Sequence, residues 1–218
     1  MRSGAWFAGV LVFAGACGPP HIGPLPPWTE PLDATNQATD PAPQPDAPYP
    51  EQLNVVTGTL QDSYSWGHCR GWIHGSIESV WAAMRNANVV VDRRTLTSWT
   101  VTGTNVDPTA DVSFIVKNVV VNVITVVIDT EREGVISGSK ETPTKVAVRN
   151  SLIDGSIFVT VVDDSALLTA QDSETTEIQL ERHSQTASPT QESDVKRYEQ
   201  DLFNSIVAQV HGQPLPKY

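Results

Sequence analysis

Three rhythms of apolar and polar residues follow one another along the chain. Gly4 to Ala16 (GAWFAGVLVFAGA) is apolar or small at every position. Residues 18 to 52 then show neither a helical nor an alternating apolar period. From residue 64 onward regular patterns take over. Trp66 to His74 (WGHCRGWIH) reads as a strand, interrupted at Gly75-Ser76. Ser76 suits a helix N-cap, and Glu78 places negative charge in the first turn. Ile77, Val80, Trp81 and Met84 follow at i, i+3, i+4, i+7, one apolar face of a short helix. Asn86 and Asn88 are stopping points, and residues 89 to 95 fit either a helix or a strand. Short β-rich runs come next, at 98–102, 112–116, 119–128, 143–153, 157–162 and 177–182. Breaks are expected at Asn118, Glu133-Gly134, Gly138, Asp154-Gly155 and Asp163-Asp164. Successive short strands joined by turns imply an antiparallel meander.

The period changes again near the end. Ser188-Pro189-Thr190-Gln191 reads as an N-cap, a proline at the first helical position and a capping-box glutamine. Val195, Tyr198, Leu202, Ile206 and Val210 then form one stripe, widened by Phe203 and Val207. Lys196, Arg197, Glu199 and Gln200 fall mostly away from it. Gly212 and Pro214 end the helix. A sheet with one apolar face needs a cover, and this helix supplies it.

That order and the opening GWIHGSIESVWAAMRNANVV resemble the START/polyketide-cyclase superfamily, the helix-grip fold. Its members often begin with a strand, a small-residue turn and a helix centred on a Val-Trp pair, here Val80-Trp81. The resemblance spans residues 64 to 212 and leaves a tail at 213–218. It implies an α+β fold: an antiparallel sheet of about six or seven strands wrapped on the C-terminal helix, with one or two short helices after the first strand. A lipocalin-like barrel is the other fold considered, but it would carry more strands before any helix. The helix-grip fold encloses a cavity between sheet and helix, so Tyr198, Leu202, Ile206 and Trp99 are expected to line it.

The two opening segments set the chain's destination. Thirteen apolar or small residues are too few for a membrane-spanning helix, which needs about 20, and suit a secretory signal over 1–16. Ala14-Gly15-Ala16-Cys17 resembles the bacterial lipobox, although Ala14 stands where that motif usually has Leu. The resemblance implies cleavage before Cys17 and acylation of that cysteine, which would partner the lipid bilayer of a bacterial cell envelope. An ordinary signal peptide cleaved after Ala16 is the other reading. Gly18 to Gln52 holds eleven of the sixteen prolines and no Lys or Arg. Such a segment is expected to be an extended, disordered tether over 17–52. Cys69 is the only other cysteine and is expected to be buried.

Composition narrows the function further. The net charge of -11 repels nucleic acid. His68, Cys69 and His74 lack the spacing of a zinc site, since neighbours on a strand point to opposite faces. No nucleophile elbow, phosphate loop or metalloprotease helix occurs, so no catalytic residue, metal or cofactor is assigned. Two acid pairs stand out. Asp163-Asp164 is read as a turn, and Glu131 with Glu133 as lying near a strand end, so neither is expected to be buried enough for acid–base work. The expected function is a non-catalytic domain that binds or carries a small apolar ligand; a cyclase or aromatase-like enzyme and a structural envelope protein with a filled core are the alternatives.

Overall fold

The computed structural model describes residues 36–59, 64–120, 125–155, 159–186 and 192–218. The signal segment, Cys17, the tether up to residue 35 and the Ser188–Gln191 capping motif lie outside the described residues. Eight strands form one antiparallel sheet: β1 (Leu53–Thr59), β2 (Tyr64–Ile73), β3 (Leu96–Thr104), β4 (Val112–Val120), β5 (Thr125–Gly138), β6 (Pro143–Asp154), β7 (Val159–Ala170) and β8 (Thr176–Thr186). Their spatial order is β1-β2-β8-β7-β6-β5-β4-β3. Two short helices, α1 (Ile77–Met84) and α2 (Ala87–Val90), follow β2, and α3 (Glu192–Val210) packs on the sheet. This is the helix-grip arrangement, with one or two strands more than expected.

The opening motif folds as its residues dictate. Ser76 Oγ accepts the Ser79 N–H at 3.4 Å, and Ile77, Val80, Trp81 and Met84 are buried. Asn86 then caps α2 by accepting the Asn88 N–H at 3.0 Å. The ambiguous stretch 89–95 is therefore the end of α2 and a loop.

Alternation gives the sheet an inner face toward α3 and an outer face. Cys69 and Ile73 of β2, Val146 and Val148 of β6, Ala166 and Leu168 of β7, and Ile178 and Leu180 of β8 point inward. With α1 and with Phe203 and Ile206 of α3 they form the core. His68 occupies the outer face and Cys69 the inner, so the two cannot share an ion. Cys69 is fully buried and free.

Several expected breaks are not breaks. Asn118, Glu133-Gly134 and Asp163-Asp164 lie inside β4, β5 and β7. All sit mid-strand, so residue type alone misled: Asp163 and Asp164 pair with Arg149 and Arg182, and Glu133 accepts from the Trp81 indole. Gly138 does end β5, with φ 89°, where an added Cβ would fall 2.4 Å from the Thr142 carbonyl oxygen. The run 119–128 is divided between β4 and β5, which pair antiparallel up to Val120 and Thr125.

The folded unit also starts earlier than residue 64. β1 pairs with β2 along its whole length. Residues 36–52 lie against the outer face and do not behave as a free tether. Asn36 Nδ2 donates to the carbonyls of Cys69 and Leu180 at 2.9 and 3.2 Å. The Gln37 N–H donates to His68 Nδ1 at 3.1 Å, and the Tyr49 ring packs tilted against Trp72, 4.8 Å between ring centres. His74 Nε2 donates to the Tyr49 carbonyl at 2.7 Å. Proline withholds amide donors, but the polar residues between the prolines supply the bonds that hold this stretch. The C-terminal tail folds back as well: the Tyr218 hydroxyl donates to the Asp201 carbonyl at 2.7 Å, and the ring lies 4.5 Å from the Arg94 guanidinium.

Candidate functional site

A cavity of ≈550 Å³ lies between the inner face of the sheet, α3 and the segment that joins α2 to β3. Val148, Ala166, Leu180, Val195 and Leu202 supply much of its apolar wall. Its position follows from the core. Side chains fill one end of the sheet–helix gap, around Ile73, Ile178 and Ile206. At the other end α2 and the loop after it stand where a filled core would have continued.

One row of this wall is polar. Glu131 of β5, Asn150 of β6, Asp164 of β7 and Arg182 of β8 are successive cross-strand partners, so they sit at one level across four neighbouring strands. Adjacent strands lie about 4.8 Å apart, so the row spans roughly 14 Å. Gly67 of β2 continues it. A side chain there would meet Val195 Cγ1 at 2.8 Å, so glycine lets α3 descend onto the row. The helix then contributes Tyr198 and Glu199.

The row is held by charge and by burial. Arg182 pairs with Asp164 at 3.1 Å, with 21% and 25% of their side-chain surfaces accessible. The Arg182 guanidinium also lies 3.8 Å from the Tyr198 ring centre, a cation–π arrangement. Burial pushes the Asp164 carboxyl up to about 6 against the opposing pull of Arg182. Burial pushes Glu199 further, to about 8. Glu199 is 1% exposed, takes a hydrogen bond from the Cys69 thiol, and its Oε1 has no partner. Burial, with Glu199 adding to it, drives the Cys69 thiol up in turn, which keeps it protonated and unreactive.

A second acidic pair lies close by. Glu131 and Glu133 occupy alternate positions on the inner face of β5, and both are buried. The Trp81 indole donates to Glu133 Oε2, and Arg85 Nε lies 3.8 Å from the same oxygen. Burial raises Glu133 to about 7. Neither acid pair is therefore the exposed turn or strand end that residue type suggests. Asp163 and Asp164 face opposite sides of β7, the first toward Arg149 and the second into the cavity.

The four expected pocket residues separate. Tyr198 and Leu202 border the cavity. Ile206 lies past its closed end, with no exposed surface, in the core. Trp99 lies on β3 outside the cavity and donates from Nε1 to Asn88 Oδ1 at 3.3 Å. Cys17 is outside the described residues. Sequence reasoning set Glu131 and Asp164 aside as unburied, put Glu199 away from the helix stripe, and did not single out Asn150 or Arg182. The signal was present: Asp164 falls in phase with Val162, Ala166 and Leu168, and Arg182 with Ile178 and Leu180. Glu199 falls four residues from both Val195 and Phe203, on the buried side of α3 and not away from the stripe. Among the described residues no group of three metal-ligating side chains is assembled.

No protein-family model matches the chain, and no curated protein matches it closely enough to count as a relative. Solved structures do match. The human StarD13 (DLC2) lipid transfer and protein localization domain is 13% identical, covering 85% of this chain and 94% of that one, with a TM-score of 0.49. The ZhuI aromatase/cyclase from Streptomyces sp. R1128 is 8% identical over 74% and 93%, with a TM-score of 0.44. A START superfamily protein from Mycobacterium smegmatis is 9% identical over 72% and 94%, with a TM-score of 0.43.

Proposed function

We propose that the protein is an envelope lipoprotein, anchored through an acylated Cys17, whose domain binds or carries a small apolar ligand without transforming it. The observation that carries the binding reading is the ≈550 Å³ cavity with its apolar wall. Pockets for small ligands run from about 300 to 1,000 Å³, are mostly apolar and carry a few polar groups that fix orientation. A structural protein with a filled core has no use for such a void, because an unfilled cavity costs stability. The anchoring half of the proposal is supported by the apolar run that ends in Ala14-Gly15-Ala16-Cys17.

One observation favours a second reading, an acid–base enzyme of the cyclase kind. Asp164, Glu133 and Glu199 all have carboxyl groups raised toward neutral pH by burial, and such groups suit proton transfer. Two measurements test the pair. An apolar fluorescent probe should brighten on binding the wild type, while Ala166→Phe, which fills the cavity from its β7 wall, should weaken it at least tenfold and leave the fold intact. Undiminished probe binding by Ala166→Phe would place the probe elsewhere and refute the cavity reading. Native mass spectrometry of protein taken from its host should then show a bound molecule whose mass stays constant on incubation. A change of that mass would establish the enzyme.

A further inference from the structure

The polar row and Glu199 say what kind of apolar molecule the cavity takes, and this inference rests on the apolar-ligand reading above. We propose that the ligand is an apolar amine, its hydrocarbon body against Val148, Ala166, Leu180 and Leu202 and its ammonium group seated beside Glu199 and Asp164.

The argument is one of unmet acceptors. Glu199 Oε1 and Asp164 Oδ1 are buried oxygens with no hydrogen-bond partner, on residues that line the cavity. Buried polar atoms are almost always bonded, and an orphaned one points to a missing partner. Asp164 Oδ1 accepts, and Glu199 accepts at both oxygens once it gives up the proton that burial holds on it, which a cationic donor beside it favours. The two carboxyl groups are near enough to repel one another, so a partner that is also positive relieves them doubly.

The cations already on the wall cannot supply that partner. Arg94 is paired with Asp201 at 2.5 Å, Arg182 with Asp164 at 3.1 Å and Arg197 with Asp194 at 2.7 Å. Arg182 spends its charge on Asp164 Oδ2 and its face on Tyr198, and Glu199 Oε1 still lacks a bond. The raised Glu199 and Asp164 carboxyls are the mark of this deficit, since burial outweighs the positive charge nearby.

Three head groups on one hydrocarbon chain would fare differently here. A carboxylate brings further acceptors and a negative charge to a wall whose own carboxyls burial already holds against ionisation. A hydroxyl brings one donor and no charge. A primary ammonium brings three N–H donors and a full positive charge, and a buried charge is tolerated where it is paired and hydrogen-bonded. The apolar wall excludes a small hydrophilic amine, which would gain nothing from leaving water.

The test is a matched ten-carbon series, decylamine, decanol and decanoate, titrated calorimetrically at pH 7 below micelle-forming concentrations. Decylamine should bind at least tenfold more tightly than either of the others. Glu199→Gln, nearly the same size, should bring decylamine to within about threefold of decanol. Decanoate binding tightest, decanol matching decylamine, or all three binding alike would overturn the amine proposal and leave the apolar-ligand reading standing. If none of the three binds, that reading falls and the amine proposal falls with it. Should Glu199→Gln fail to melt as a folded protein, the order of the three ligands on the wild type still decides the question.

Discussion

Glu199 is the residue on which most of the site's behaviour turns. Its carboxyl is held protonated to about pH 8 by burial, and Glu133 to about 7. An unfolded chain releases those protons near pH 4.5. Between pH 6.5 and 8 the unfolded state therefore binds fewer protons than the folded state, and stability must fall as pH rises. His68 works in the opposite sense, because burial, with His183 nearby, lowers it to about 4. That effect is confined below its ordinary value of 6.5 and leaves the upper window to the carboxyls. Thermal melts from pH 6.5 to 8 should show a declining midpoint, and Glu199→Gln should flatten the decline. An equally steep decline in the variant would mean that Glu199 is ionised in the folded protein. Little of this was legible in the sequence. A charged residue in a strand reads by default as outward or as a turn, and Asp163-Asp164 looks like both. Only the pairing register shows that Asp164, Asn150 and Glu131 share a level on the inner face. A stripe drawn through apolar positions alone likewise skips Glu199.

At the scale of elements, the sequence was informative where amphipathic periods were long. The stripe on α3 and the Ser76 cap on α1 locate both helices, and together with Gly138 and Asp154-Gly155 they order most of the sheet. β1 escaped because Leu-Asn-Val-Val-Thr-Gly-Thr does not alternate cleanly: it is an edge strand with only Leu53 buried. The three pocket candidates on α3 divide because one helix serves two environments along its length. Tyr198 and Leu202 face the cavity, whereas Ile206, one turn beyond Leu202, is buried in the core. Truncating each should separate them. Ile206→Ala removes atoms from a close-packed site and should cost about 2–5 kcal/mol. Leu202→Ala should cost less, about 1–2 kcal/mol, because part of its surface already meets open space, and it should alter probe binding. Denaturant titration of the two variants measures the difference, and equal losses would mean that the cavity is closed at Leu202.

For the whole molecule, the domain and the proposed anchor at Cys17 are tested separately. The domain's expected architecture was legible because sheet, short helices and long helix occur in a fixed order. The cavity was not, since a void leaves no residue of its own in a sequence. The proposed anchor rests on Cys17. Cys17→Ser should release the protein from the membrane fraction into the soluble one when cells are fractionated, with the domain still folded. Retention of the variant with the membrane would remove Cys17 as the anchor and require another.

The docking of residues 36–52 on the outer face has a mechanical meaning. Among the described residues, a pull from the N-terminal side meets Asn36 first, whose amide bridges the carbonyls of β2 and β8. Asn54 donates to the Thr39 carbonyl at 2.9 Å and Asp40 lies 3.9 Å from Arg70, so the load is shared among several short contacts before it reaches β1. Without them the pull would fall on the end of an edge strand, where hydrogen bonds break one at a time, like a zip. With them the load falls on the contacts of residues 36–52 before it reaches the ladder of the eight-stranded sheet.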